Sequence, residues 1–235
     1  MVLFGMLTRS KSVTDQLRSL LLEGNYLPGT HLQEIHVADI MGVSRTPVRA
    51  ALATLEKEGL LSYVPKRGFE VRRFSLDEIM DKYRIRSILE GNAAAMCAMR
   101  GLPEDELEEL AECLRIGDDI LQAGELKAES LPAYRDMNRR FHSTVIRGSG
   151  STATADLVAQ LEQIPFLSDR IILWEEFRLI DRSHDDHHRV YDAIRRRDPI
   201  RAEAIMREHV IFMGMTVTRF LEQNSPGILP FGGEE

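Results

Sequence analysis

Helix breakers divide this chain near Arg72-Arg73-Phe74-Ser75, and the two sides call for different architectures. Before that point, short periodic stretches alternate with Gly and Pro; after it, long stretches of helical periodicity run with few breakers. At 235 residues the chain has room for two domains, since domains commonly run to about 100–200 residues. There is no internal repeat, low-complexity tract or Gly/Ser linker. The reading is a small mixed head over residues 8–73, an all-helical body over 74–223, and a disordered tail over 224–235 with Pro226, Pro230 and paired glycines.

In the head, Val13, Leu17, Leu20 and Leu21 recur at helical spacing up to Glu23-Gly24, and Leu27-Pro28-Gly29 signals a turn. A short helix follows over roughly 33–41, with Ile35, Val37 and Ala38 facing inward, and Gly42 supplies a sharp turn. Ser44 is placed to cap the next helix, its hydroxyl accepting a free backbone N–H, with Pro47 in the first turn. That helix keeps Val48, Leu52 and Leu55 on one side and ends at Glu58-Gly59. Leu61–Val64 and Phe69–Val71 then alternate like two strands around Pro65-Lys66-Arg67-Gly68. Helix, helix, turn, helix, hairpin is the order of a winged helix-turn-helix.

Beyond Ser75 the periodicity predicts helices at roughly 75–100, 103–123, 132–148, 152–175, 180–197 and 199–222, the first opened by a Ser75/Glu78 capping box. Short links between so many amphipathic helices favour antiparallel packing. The fold class is mainly α: a winged helix-turn-helix followed by an antiparallel all-helical bundle.

The net charge of −7 would argue against a polyanionic partner if it were spread evenly. It is not: residues 8–73 carry 10 Lys/Arg against 7 Asp/Glu, leaving 20 against 30 for the rest. A mildly basic head on an acidic body suits a protein that lays one end on nucleic acid. No apolar run reaches the about 18–20 residues that span a bilayer, and the apolar start 1–7 lacks a basic leader and cleavage site. The chain reads as cytoplasmic, with no membrane partner. Cys97 and Cys113 read as small buried core residues rather than a disulfide framework.

Arg45 and Arg49 are four residues apart, so they share one face of the third helix, about 40° apart. Ser44 and Thr46 stand at the same end, while Val48 and Leu52 point the other way. A recognition helix needs this polar, basic N-terminal end on an apolar back. Arginine can meet guanine O6 and N7 with two hydrogen bonds or clamp a phosphate. Lys66 and Arg67 crown the hairpin, where a wing would reach the DNA backbone or minor groove.

Leu27-Pro28-Gly29, the run Met41 to Arg49, Ala51-Leu52, Leu55, Glu58-Gly59-Leu60 and Pro65-x-Arg67-Gly68 together resemble the head of the GntR family of transcriptional regulators. The resemblance implies operator contacts from Arg45, Thr46, Arg49 and the wing around Arg67-Gly68, and a homodimer on an inverted repeat. Family members often carry another basic residue in the second helix; Ile35 and His36 occupy that place here, so no contact is carried over to it.

In the body, Asn138 and His142 are one turn apart on one helix, and His187 and His209 lie on two later ones. Neighbouring helices build metal sites in this way, and imidazole suits zinc, nickel or iron. The spacing alone reads more readily as satisfied core histidines or solvated polar clusters, with His184 to His188 an exposed helix start. Arg86-x-x-x-Glu90, Asn138-x-x-Phe141-His142, His187 with Ala193-Ile194 and Asp198, and Ala202, Met206 and His209 resemble the FCD ligand-binding domain of the FadR-type branch of the same family. That resemblance implies a divalent metal, zinc or nickel, on His142, His187 and His209, with Asn138 fourth where the family's metal-binding members have an acidic residue. It also implies a small organic-acid effector beside the metal.

Arg86 reads as an anchor for the effector carboxylate, or as an ion-pair partner of Glu90. The expected function is a transcription regulator whose operator affinity is modulated by a small organic acid; whether effector releases or recruits DNA is open in the residues, and the family resemblance favours a repressor released on effector binding. Neither His-Glu-x-x-His, a Walker loop, a dinucleotide fingerprint nor a nucleophile elbow is present to support the rival reading, a metal-dependent hydrolase or isomerase. A second rival is an architectural DNA-binding protein with no sensor.

Overall fold

The apolar periodicities of the head close into a core around helix α3, as seen in a computed structural model that describes residues 12–164 and 177–224. Helix α1 (Val13–Leu22) is capped by Ser12, whose Oγ accepts from the Asp15 N–H at 3.1 Å, and buries Leu17 and Leu21. Strand β1 (His31–Leu32) leads into α2 (Glu34–Met41), and Gly42 turns the chain with φ 66°, a left-handed conformation that a residue without Cβ adopts freely. Helix α3 (Arg45–Lys57) buries Val48, Ala51, Leu52 and Leu55. Each fully buried leucine contributes about 1.5–3 kcal/mol of transfer free energy. Strands β2 (Leu61–Val64) and β3 (Gly68–Val71) form the hairpin, and β1 pairs antiparallel with β3, giving the order β1-β3-β2. A bidentate pair from Arg18 to Glu58, at 2.9 and 2.8 Å, ties α1 to the end of α3.

Two expectations for the head fail. Ile35 is 56 % exposed, whereas Val37 and Ala38 are buried. On a helix of only 8 residues the inward arc is narrow, and Ile35 lies about 110° from its centre at about 100° per residue. Ser44 does occupy the N-cap of α3 with extended backbone, but its side chain makes no capping hydrogen bond. The β1 strand is a feature that the sequence reading did not include.

The body begins with α4 (Leu76–Arg100), opened by the expected capping box: Glu78 N–H donates to Ser75 Oγ at 3.1 Å, and Ser75 N–H to Glu78 Oε2 at 2.9 Å. There follow α5 (Glu104–Leu121), a 3₁₀ turn at Ala128–Ser130, α6 (Leu131–Gly148), α7 (Thr152–Leu161), α8 (Phe177–Arg195) and α9 (Pro199–Asn224). Helix α4 packs most extensively on α9 and also on α6, α7 and α8, while α5 packs on α6 and α8. Two glycines let α4 and α9 approach: a Cβ on Gly91 would sit 2.3 Å from Arg207 Cγ, and one on Gly214 2.6 Å from Tyr83 Cβ. Helices α8 and α9 run antiparallel, bringing Arg182 onto the Phe212 ring at 3.8 Å and His187 beside His209.

The helix expected over 152–175 ends at Leu161 instead. Ile164 precedes Pro165, whose ring disfavours helical backbone in the residue before it; residues 165–176 lie outside the described part. Cys97 and Cys113 are free and buried, and the Cys97 thiol donates to the Val145 carbonyl at 3.1 Å. The expected tail lies outside the described residues save Asn224, which belongs to α9.

Candidate nucleic-acid interface and candidate metal centre

At the start of α3, Val48 points into the head core and forces its neighbours outward: Ser44, Arg45, Thr46 and Arg49 are all exposed. The Arg45 and Arg49 side chains are 58 % and 65 % exposed. Both face one carboxylate, Glu34 at the start of α2. Arg49 donates to it through Nε and Nη2, each at 2.9 Å, and Arg45 Nη2 lies 3.6 Å away. The Arg49 hydrogen bonds hold the Glu34 carboxyl below its usual pKa. Without a cap from Ser44, the first N–H groups of α3 carry the positive end of the helix dipole into the exposed region. Lys66 and Arg67 stand exposed at the hairpin tip, where Arg67 N–H donates to the Val64 carbonyl at 3.0 Å. Lys66 has φ 66° and Gly68 φ 89°.

In the body, four helices deliver side chains to one buried point. His142 of α6 has Nε2 3.1 Å from His209 Nε2 (α9) and 3.3 Å from His187 Nε2 (α8). All three histidines are buried, and these ligand atoms lie within 4.8 Å of one another. His142 Nδ1 donates to Glu90 Oε2 (α4) at 2.6 Å, which fixes the tautomer that offers the Nε2 lone pair. Burial, reinforced by the neighbouring imidazoles, depresses the pKa of His187 well below its usual value and that of His209 to about 3. Both rings are therefore neutral donors near pH 7.

Burial would raise the Glu90 pKa, but Arg86 and His142 outweigh it and hold it at about 2. Arg86, with a side chain only 15 % exposed, donates to Glu90 Oε1 at 2.9 Å through Nε and 2.8 Å through Nη2, and reaches Glu162 Oε1 at 3.1 Å. The ion pair weighed for Arg86 is thus formed, with a second carboxylate on the same guanidinium.

The residues fit a divalent cation: three imidazole Nε2 atoms converge, while His187 Nδ1, His209 Nδ1 and Asp186 Oδ2 are buried without a hydrogen-bond partner among the described residues. Asp186 Oδ2 lies 4.0 Å from His209 Nδ1, where a carboxylate would orient a metal-bound imidazole. Asn138 is half-buried on α6, one turn before His142. The run His184 to His188 is not an exposed helix start: His184, Asp186 and His187 are buried and only His188 and Asp185 face outward. Glu90 and Asp186 were absent from the expected ligand set. The Arg86-x-x-x-Glu90 spacing was a usable signal for the first, and nothing local marked the second.

A model of the FCD domain matches residues 81–212, and a model of the bacterial regulatory proteins, gntR family, matches residues 9–71. The chain is similar to an HTH-type transcriptional regulator from Agrobacterium vitis, 32 % identical over 138 residues that cover 59 % of this chain and 79 % of the relative. It is also similar to the HTH-type transcriptional repressor GlaR of Escherichia coli, 25 % identical over 201 residues covering 83 % and 89 %. Among solved structures, E. coli McbR/YncC superposes with a TM-score of 0.70 at 22 % identity, covering 93 % of this chain and 99 % of that one, a likeness of fold. These relatives are regulators, not enzymes. No helix of the described residues is long and apolar enough to cross a membrane.

Proposed function

The chain belongs to the gntR family of bacterial regulatory proteins with an FCD domain, a family of DNA-binding transcription regulators; from this premise we propose that it is a cytoplasmic repressor released from its operator by a small carboxylate. The observation that carries the sensing half is the convergence of three buried imidazole Nε2 atoms, braced by Glu90 and Arg86. His142, His187 and His209 would hold a zinc or nickel ion, with Asn138 in the fourth position. A cation bound there supplies positive charge and open coordination positions for an effector carboxylate.

The protein's own residues then set the ligand class. Arg86 and Glu90 cancel in charge, so a divalent cation beside Glu162 leaves an excess of about one positive charge, and about two once Glu162 is displaced, in a low-dielectric pocket, which calls for anions. Glu162, 3.1 Å from Arg86 and half-exposed, is the carboxylate that an effector would displace. Substituting Glu162→Gln should therefore tighten binding of the effector acid, and Arg86→Ala should abolish it while the fold survives. Calorimetry of the purified, metal-loaded protein against a panel of organic acids measures both. Unchanged affinity in the Arg86 variant would remove the anchor role.

The DNA-reading half rests on Arg45 and Arg49, with Ser44 and Thr46 beside them and Lys66, Arg67 and Gly68 in the wing. An inverted repeat calls for a two-fold partner, and α4 offers a face for one. Ile85, Ile88 and Met99 are exposed along it with Asn92 between, within about 60° of arc by the 3.6-residue turn. A homodimer through this face brings two recognition helices to one operator.

A further inference from the structure

Outside the buried centre, a second set of ligand-bearing side chains meets between α5 and α8. His184 and His188, one turn apart on α8, both aim Nε2 at a single oxygen of Asp118 on α5, at 2.9 and 2.8 Å. We propose that Asp118, His184 and His188 form an outer, exchangeable site for a zinc-class divalent cation, distinct from the centre built on His142, His187 and His209.

The first support is geometric. Ligand atoms about 2.0–2.2 Å from a metal lie about 3 Å apart in adjacent octahedral positions and about 3.4 Å apart in a tetrahedron, so the two distances here would widen by about 0.5 Å around a tetrahedral ion. The three ligand atoms all lie within 4.8 Å of one another.

The second is what α5 gives up to seat His184. Gly117 lies inside that helix, where glycine costs about 1 kcal/mol relative to alanine. A Cβ there would fall 2.1 Å from His184 Cε1 and 2.6 Å from its Nε2. The ring thus lies directly on the helix backbone, buried and fixed in aim, one residue before Asp118. The other nitrogen side of the His184 ring turns to the α5 backbone at Leu114, the kind of hydrogen bond that orients a ligating imidazole, and this leaves Nε2 aimed at the site.

The third is access. The side chains of Asp118 and His188 are 52 % and 41 % exposed, so water can complete the coordination. Two imidazoles and one carboxylate favour zinc, nickel, cobalt or iron(II) over magnesium or calcium. Because α8 also carries His187, with the His184 and His187 ring centroids 6.0 Å apart, an ion in the outer site would clamp α5 to the helix that serves the inner one.

The test is a titration of chelator-stripped, full-length protein with Zn²⁺ alone, counting equivalents per chain by calorimetry. The wild type should bind two, His188→Ala one, and His209→Ala one. Asp118→Asn, which keeps the side-chain shape, should weaken the outer step by at least the about 10–100-fold seen when a mere supporting partner of a ligand is lost. Thermal unfolding of each variant verifies the fold. Two equivalents retained in His188→Ala, or one equivalent in the wild type that survives in His188→Ala, would overturn the outer site. Failure of the inner reading looks different: His209→Ala would bind as much as the wild type while His188→Ala bound less.

Discussion

Arg49 is held by a bidentate carboxylate before any DNA is present, and this decides what its neighbours can do. With Nε and Nη2 both engaged on Glu34, the guanidinium plane is fixed on the exposed side of α3 and loses less entropy on docking. Glu34 also sets a negative charge near incoming phosphates, which penalises binding wherever the arginines gain no base contact in return. The two substitutions should therefore part in sign. Arg49→Ala should cut operator affinity relative to a scrambled duplex by about 5–150-fold, the value of one good bidentate base contact at about 1–3 kcal/mol. Glu34→Gln should raise affinity for the scrambled duplex and steepen its salt dependence, narrowing the ratio. Fluorescence anisotropy on an operator selected from random duplexes, across a salt series, reads both. An unchanged ratio in Glu34→Gln would mean that the carboxylate only decorates the surface.

The wing is an element whose sequence and shape disagree in a useful way. Its turn places Pro65 before Lys66, and Lys66 takes the left-handed backbone (φ 66°) that turns of this kind normally give to glycine. The conformation costs a non-glycine residue about 1–2 kcal/mol. Lys66→Gly should leave stability unchanged or raise it by up to about 1 kcal/mol, since the strain relieved is partly offset by the freer unfolded chain. The same change should weaken DNA binding and flatten the slope of log affinity on log salt by about 0.9, one phosphate contact. Denaturant melts and salt-series binding measure the two. Parallel losses in both would mean that Lys66 is structural.

This hairpin also marks how far the sequence could be read. Signals contained within a few residues were legible: the Ser75/Glu78 box, the turn at Gly42, the exposed arginines over buried Val48. Features fixed by distant partners were not. Strand β1 exists because His31 and Leu32 meet Glu70 and Phe69. Glu90 and Asp186 join the histidine centre only because α4, α6, α8 and α9 converge there. Ile35 misled because the apolar residues of this short helix, Ile35, Val37, Ala38, Ile40 and Met41, do not reveal which of them the core can reach.

For the whole molecule, the candidate metal centre couples stability to composition of the medium. Its ligands come from three helices and its supporting carboxylate from a fourth, so a cation held there joins segments that no local interaction connects. Binding at 1,000 times Kd adds about 4 kcal/mol of stability, and for 150–250 residues each kcal/mol moves Tm by about 2–4 °C. Zn²⁺ added to chelator-stripped protein should thus raise Tm by about 8–16 °C, measured in a His188→Ala background so that only the buried centre contributes. Asn138 tunes the size of the effect. A neutral amide oxygen gives a divalent cation less than a carboxylate does, so Asn138→Asp should enlarge the rise at equal Zn²⁺, and His209→Ala should remove it. A rise identical in Asn138→Asp and its parent would place Asn138 outside the coordination sphere; no rise in the parent would leave the buried imidazoles without a metal, and the effector pocket without the positive charge that selects an acid.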